Sequence, residues 1–346
     1  MISLRSSLKR TLTASVAVVA VSFGTIGQAI AVSLKGAGAS FPAPLYQRYI
    51  QEIKKATGMD VSYEAVGSSA GIERFIADTV DFAGTDAPPT GSQVDQMSKG
   101  VVRVPTAGGA VAVVFNLPGV TELKLPRGVT AEIFMGQITQ WNDSKIAKAN
   151  PGVNLPDLPI KPVVREDGSG TTFIFTRHLS SSSPQFQKTV NNSPLPNWPG
   201  EPLKGAKNAG VANQVKQTQG AIGYVQDTYA RQNNLATAQL ENLAGEFVEP
   251  SFEETSKALK SVRFYNDFRA ANLQDPEAGY PIVGITWILI KQNYDKPETA
   301  EAVQKMVNWI MSEGQNYNEG LEYTRIPEPV ASSIMEVIQE NLAANQ

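Results

Sequence analysis

Hydrophobic positions along the chain switch between two periods several times before residue 90. Leu34 and the residues after it read as a short strand that ends in a Gly-rich turn, Gly36-Ala37-Gly38-Ala39-Ser40. Leu45, Tyr49 and Ile53 then recur at i, i+4 and i+8 behind Pro42 and Pro44, which predicts an amphipathic helix closed at Gly58. Ser40, just ahead of those prolines, suits the N-cap. Val61-Ser62-Tyr63-Glu64-Ala65-Val66 alternates as a strand does, Ile72, Phe75 and Ile76 return to helical spacing, and Val80 to Thr85 reads as another strand, stopped at Pro88-Pro89. Strand, helix, strand, helix, strand predicts an α/β layer of parallel strands, whose carboxyl ends are where such sheets bind ligands. Ser40, Ser68 and Asp86 all fall at those ends.

Further on, two continuous apolar runs lack any alternation: Gly109 to Asn116 and Pro281 to Ile290. Each predicts a fully buried strand, and each is placed to carry the chain between two lobes. The expected organisation is a first lobe of residues 32–109 and 282–346 and a second lobe of residues 110–281. The second lobe would hold Trp141, the stretch Arg165 to Thr172, and the strand Ala221 to Val225. Helices at 297–312 and 329–344 would pack back on the first lobe. The Ser-, Pro-, Asn- and Gly-rich stretch from Ser180 to Lys207 reads as a long surface excursion.

Composition narrows the chemistry. With 42% apolar and 18% charged residues the chain suits a folded, water-soluble protein. It has no cysteine, which removes disulfides, thiolate metal sites and cysteine nucleophiles, and its one histidine, His178, leaves no histidine cluster for a transition metal. Residues 1–31 read as a signal peptide: a basic start, an apolar run from Thr11 to Ile26, and an Ala29-Ile30-Ala31 cleavage site. Removing them takes away Arg5, Lys9 and Arg10 and no acid, so the formal net charge moves from −3 to −6. An acidic mature chain argues against nucleic acid as a partner, so any anion site must be local.

One local stretch fits that description. The apolar run Ile160 to Val164 enters Arg165-Glu166-Asp167-Gly168-Ser169-Gly170-Thr171-Thr172, and a helix-like segment leaves it. The first turn of a helix has unpaired N–H groups and a dipole that favours negative charge; glycine allows close approach, hydroxyls add donors, and arginine adds a planar charged fork. Ser40, Ser68 and Ser169, taken singly, read more readily as N-caps than as ligand contacts, and Arg165 with Asp167 reads as an ion pair of small value. Three strand–turn–helix units with hydroxyls, one arginine and one acid together read as an oxyanion site. The acid is the informative member. A fully ionised anion needs donors only, whereas an oxyanion that keeps a proton can donate to a carboxylate, so Asp86 would select for a protonated ligand such as phosphate over sulfate.

A serine hydrolase is the competing reading. Gly67-Ser68-Ser69-Ala70-Gly71 matches G-x-S-x-G between a strand and a helix, with Ser69 as nucleophile and His178 downstream. His178, however, lies about two turns, roughly 10 Å, beyond Thr171 along the helix axis, away from the hydroxyls, and reads as a surface or lobe-packing residue.

The stretches GAGASFPAPLY (36–46), YEAVGSSAGIERFIADTVDFAGTDAP (63–88), GQITQWND (136–143), VVREDGSGTTFIFT (163–176), GAIGYV (220–225) and WILI (287–290) resemble the periplasmic phosphate-binding proteins of ABC-type phosphate importers (PstS type). The resemblance implies an α/β, type II periplasmic-binding-protein fold with two lobes joined by two crossover strands, closing on dehydrated phosphate. It implies phosphate contacts from Ser40, Phe41, Ser68 and Asp86 in one lobe and from Arg165, Ser169, Gly170 and Thr171 in the other, with Asp167 orienting the arginine. It further implies a monomer that hands phosphate to a membrane permease, with no catalysis, cofactor or metal; a phosphate sensor without a transport role is the alternative within the family. Three positions depart from the family pattern or find no explanation in it. Ser40 stands where threonine is usual, Ala70 where glycine is common, and Glu166 adds a negative charge beside Arg165.

Overall fold

A single curled sheet, rather than two separate ones, runs through the molecule. The computed structural model describes residues 32–343, and the expected signal peptide lies outside them. The sheet has ten strands, eight of them on one path in the order Asp60–Ala65, Ser33–Gly38, Phe82–Thr85, Val283–Ile290, Val102–Phe115, Ala221–Gln226, Lys161–Arg165 and Leu203–Gly205. The expected strand at 109–116 is part of Val102–Phe115, a strand of 14 residues. That length, roughly 45 Å at the usual rise, lets it change partners midway. Its residues up to Ala110 pair antiparallel with Val283–Ile290, and Val111 to Phe115 pair antiparallel with Ala221–Gln226. The strand therefore belongs to two half-sheets, and every one of its residues except Arg103 is buried, which explains its unbroken apolar run.

Away from the two crossover strands the pairing is parallel, Val283–Ile290 running antiparallel to Phe82–Thr85 as well as to Val102–Phe115. Ser33–Gly38 lies parallel to both Asp60–Ala65 and Phe82–Thr85, with Gly38 level with Ala65 and Gly84. Lys161–Arg165 lies parallel to Ala221–Gln226 and Leu203–Gly205, with Arg165 level with Gly205. Parallel strands place all their carboxyl ends along one edge of each half-sheet, and the helices that follow them start there. These are Ala43–Thr57, Ser68–Ile76, Gly170–Ser182, Lys207–Gln217 and Asp227–Gln232. The first ends as expected at Gly58, in the left-handed conformation (φ 72°). Its N-cap is Pro42, not Ser40, whose hydroxyl has other partners.

The 180–207 stretch is more ordered than a surface excursion. It contains the helix Pro184–Thr189 with Phe186 fully buried, then the edge strand Leu203–Gly205. Its glycines and prolines punctuate short elements rather than marking a loop. Phe186 and Trp198 join Phe134, Phe175 and Tyr224 in an aromatic cluster, with Phe175 stacked on Tyr224 at 4.1 Å between centroids. The helices Pro297–Met311 and Glu328–Ala343 pack at the first half-sheet, where Trp309 meets Tyr49 edge-on at 5.9 Å. No helix among the described residues is long and apolar enough to cross a membrane.

Helix Ser68–Ile76 sits unusually close to its sheet. A Cβ on Gly71 would overlap the Cα of Gly38 in the adjacent strand, and backbone cannot move aside as a side-chain tip can. Gly71→Ala should therefore cost about 1–3 kcal/mol, read as a lower urea midpoint with an unchanged slope. A midpoint equal to that of the parent chain would show that the close approach is not required.

Candidate functional site

The two rows of strand ends face each other, and direct hydrogen bonds join them. Ser69 N–H donates to the Gly168 carbonyl at 3.1 Å, and Gly170 N–H donates to Ser68 Oγ at 3.1 Å. The Tyr229 hydroxyl donates to the Ser40 carbonyl at 2.7 Å. Gly170 must be glycine for this approach, since a Cβ there would overlap the Asp86 carboxylate and Ser68 Oγ. Ser40, Ser68, Asp86, Arg165, Ser169 and Thr171, collected from five elements, are all buried in this junction.

Asp86 follows the strand Phe82–Thr85. Its Oδ1 accepts from the Thr286 hydroxyl at 2.7 Å, while Oδ2 is buried with no partner. Thr286 sits where the pairing of the crossover strands slips by one residue, a bulge that re-aims side chains. Burial raises the Asp86 carboxyl from 3.8 to about 7, against the opposing effects of the Thr286 bond and the Arg165 charge. On the facing side, Arg165 ends its strand with a buried guanidinium. Nε donates to Asp167 Oδ1 at 2.8 Å, Nη2 donates to Asp167 Oδ2, and Nη1 is buried without a partner. Burial would raise Asp167, but the Arg165 bonds and charge and the Lys207 N–H outweigh it and hold the carboxyl below its ordinary value. One buried acceptor atom and one buried charged donor atom are thus left open where the rows meet. Buried polar atoms normally find partners, so this pair marks a place for a polar ligand.

The hydroxyls are held by the elements around them. Ser68 Oγ accepts from Gly170 N–H and, at 3.3 Å, from Asp86 N–H. Ser169 is the N-cap of Gly170–Ser182, accepting from Thr172 N–H at 3.1 Å, as its capping reading expects. Phe41 buries its ring edge-on against Tyr323 at 6.0 Å, which leaves only its main chain available to a ligand. The Tyr224 hydroxyl lies 2.8 Å from Thr172 Oγ1 and accepts from Arg165 N–H, tying the aromatic cluster to the arginine strand. Glu166, one residue on, is exposed where Arg165 is buried. Alternation along the strand end turns its charge to solvent, which accounts for it.

Two residues escaped the sequence reading. Thr286 carried no signal inside an apolar run. Asn208 did carry one: Gly205-Ala206-Lys207-Asn208 is a fourth strand–turn–helix junction, at the very end of the stretch read as surface. It is fully buried, and its Nδ2 donates to Ser40 Oγ at 2.9 Å and to Thr171 Oγ1 at 3.1 Å.

The nucleophile reading finds no support in the geometry. Ser69 lies in the first turn of a regular helix. His178 is buried rather than on the surface, 3.3 Å from the Gln274 carbonyl and 3.7 Å from Asp275, and burial pushes its ring down to about 4. Among the described residues no hydrogen bond joins it to a serine.

Two half-sheets that share a crossover strand and turn the carboxyl ends of their parallel strands toward each other form a type II periplasmic-binding-protein fold. The family model for the PBP superfamily domain matches residues 24–314. The chain is 38% identical to the phosphate-binding protein PstS of Pasteurella multocida over 88% of its own length and 89% of that protein's. It is also 38% identical to PstS of Haemophilus influenzae, covering 90% of this chain and 94% of that one. Among solved structures, a high-affinity periplasmic phosphate-binding protein (PfluDING) with bound phosphate superposes with a TM-score of 0.74 at 20% identity, covering 88% and 93% of the two chains. A putative phosphate ABC transporter substrate-binding protein from Clostridium perfringens gives 0.63 at 18% identity, with coverage of 86% and 100%. This chain belongs to the PstS family of phosphate-binding proteins.

The raised Asp86 carboxyl has a consequence for the ligand-free protein. The folded state keeps this proton up to about pH 7, whereas an unfolded chain releases it near 3.8. The folded state therefore binds more protons in that window, and Asp86 makes stability fall as pH rises from about 4 to about 7. Asp227, which burial raises to about 6, acts in the same direction over part of the range. The Asp86 share is isolated by comparing unfolding of the parent chain and Asp86→Asn across that range. The gap between them should shift in favour of Asn as pH rises, and a constant gap would contradict the burial argument.

Proposed function

We propose that this protein captures inorganic phosphate between two lobes and delivers it to an ABC-type phosphate permease, performing no chemistry on the ligand. The observation that carries this reading is the open acceptor Asp86 Oδ2 among hydroxyl, amide and guanidinium donors. Inorganic phosphate keeps at least one proton near neutral pH and can donate it to Asp86 once that carboxyl is ionised, above about pH 7; sulfate keeps none and would meet uncompensated repulsion from the carboxylate. We assign residues 32–109 and 282–346 to one lobe and residues 110–281 to the other. Ser40, Phe41, Ser68 and Asp86 would contact phosphate from the first lobe. Arg165, Ser169, Gly170 and Thr171 would contact it from the second, with Asp167 orienting the arginine. No metal or cofactor enters this scheme. Closure would be the functional step, because donors from both rows reach one anion only when the lobes meet. The working form would be a periplasmic monomer released from its signal peptide at about Ala31.

The test is a phosphate titration of the mature chain after unfolding and refolding to strip carried ligand, with sulfate in large excess as competitor. Tryptophan fluorescence should report it, since Trp198 packs on Tyr224, whose hydroxyl bonds the Arg165 and Thr172 segment. Saturation at micromolar phosphate or below, indifferent to sulfate, is expected; displacement by sulfate would end this reading.

Asp86→Asn should weaken phosphate binding about 10- to 100-fold and relax the exclusion of sulfate. Unchanged selectivity would mean that Asp86 does not meet the ligand. Ser69→Ala should bind phosphate as the parent chain does, and an esterase activity lost in that variant would revive the nucleophile.

A further inference from the structure

We propose that Asn208 is a positioning residue that fixes the Ser40 and Thr171 hydroxyls as hydrogen-bond donors toward the ligand. This inference rests on the phosphate reading above and concerns a residue outside the set of ligand contacts.

The orientation of the Asn208 amide is settled by its neighbours. Gln226 N–H donates to Asn208 Oδ1 at 2.9 Å, and a main-chain donor can only be met by the amide oxygen. The NH2 group must therefore face the other way. There its two hydrogens go to Ser40 Oγ at 2.9 Å and Thr171 Oγ1 at 3.1 Å, and the Asn208 main-chain N–H also reaches Ser40 Oγ at 3.2 Å. A hydroxyl has two acceptor sites and one proton. With both acceptor sites of Ser40 filled by Asn208, its only remaining capacity is to donate. Thr171 Oγ1, with Asn208 on one side, is biased the same way. Among the described residues no acceptor takes either proton. Donor-only hydroxyls are what an anion requires, since a lone pair turned inward would repel it.

Asn208 is itself anchored to the charged end of the site. Asp167, which grips Arg165, also accepts from Lys207 N–H at 2.9 Å, and Lys207 takes a left-handed turn (φ 61°) that swings Asn208 inward. Gln226, on the other side, is registered opposite Val111, where the long strand changes partners. A continuous run of polar contacts thus links Arg165, Asp167, Lys207, Asn208 and the two hydroxyls, and ends at the seam between the half-sheets. Asn208 contributes from the Arg165 side while Ser40 belongs to the other, so the amide can orient Ser40 only when the two rows have met.

The experiment is a calorimetric phosphate titration of the stripped mature chain and of Asn208→Ala, Ser40→Ala and the double variant, with thermal melts to confirm folding. Asn208→Ala should weaken binding about tenfold or more. In the Ser40→Ala background the same change should cost much less, because one of the hydroxyls it orients is gone. Fully additive losses would reduce Asn208 to ordinary packing and overturn the inference. Asn208→Asp keeps the acceptor for Gln226 N–H and covers the case in which alanine fails to fold. It loses the NH2 donors while ionised and regains one donor on protonation, so its affinity relative to the parent chain should recover as pH falls. A ratio that does not change with pH would also overturn the inference. A parent chain that ignores phosphate would instead overturn the reading of the ligand, a separate outcome.

Discussion

Burying Arg165 is the constraint on which the rest of the site depends. An uncompensated guanidinium in a closed junction costs several kcal/mol, and water cannot reach it there. Asp167 supplies a two-point partner, and that partner is held down by Lys207 N–H and by the arginine itself. The pairing removes most of the net positive charge, so attraction between whole charges cannot be what holds an anion here. What remains are local dipoles: one open guanidinium N–H, the hydroxyls, and main-chain N–H groups at helix starts. Asp86 responds to the same lack of water. Its proton is retained to about pH 7 because the junction offers it one hydroxyl and a distant arginine in place of solvent.

The sheet supplies the geometry that those dipoles need. Parallel strands align their carboxyl ends, and the long strand Val102–Phe115 joins two such rows by changing partners between Ala110 and Val111. The donors at residues 40 and 68 and the acceptor at residue 86 meet the donors from 165 to 171 because both rows are referenced to the same strand. Thr286, opposite the bulge that Thr106 makes in the long strand, holds the acceptor, and the Gln226 bond to Asn208 ties the opposite row to the point of exchange. The crossover is therefore also the alignment device for the site.

Much of this was legible in the sequence because the informative signals are local. Glycine-spaced hydroxyls at strand–helix junctions, an arginine at a strand's end and unbroken apolar runs each depend on a few neighbouring residues. The residues that were missed act over distance. Asn208 meets Ser40 across 168 positions and Thr286 meets Asp86 across 200, and no local pattern encodes such pairings. The N-cap assigned to Ser40 failed for the same reason. A hydroxyl ahead of a proline-started helix is a sound local prediction, but Asn208 takes that oxygen from outside. His178 shows the converse: the one histidine drew attention as a candidate base, and the fold uses it for packing beside Asp275.

The direct bonds between the two rows bear on how closure and capture are balanced. Ser69 N–H to the Gly168 carbonyl is main chain to main chain and is independent of any ligand. Gly170 N–H is different, since in this closed arrangement it is satisfied by Ser68 Oγ, and both groups belong to the proposed phosphate contacts. An entering anion would take that N–H in place of the Ser68 oxygen, while the Ser68 proton, which no group among the described residues accepts, is already free to donate to it. A ligand shifts a conformational equilibrium only by its preference for one state. The exchange supplies such a preference, because Gly170 and Ser68 lie on opposite rows and reach one anion together only when closed. It also moderates it, since the N–H bond gained by the ligand replaces one that already held the rows together. A receptor that must release its cargo is served by that compromise.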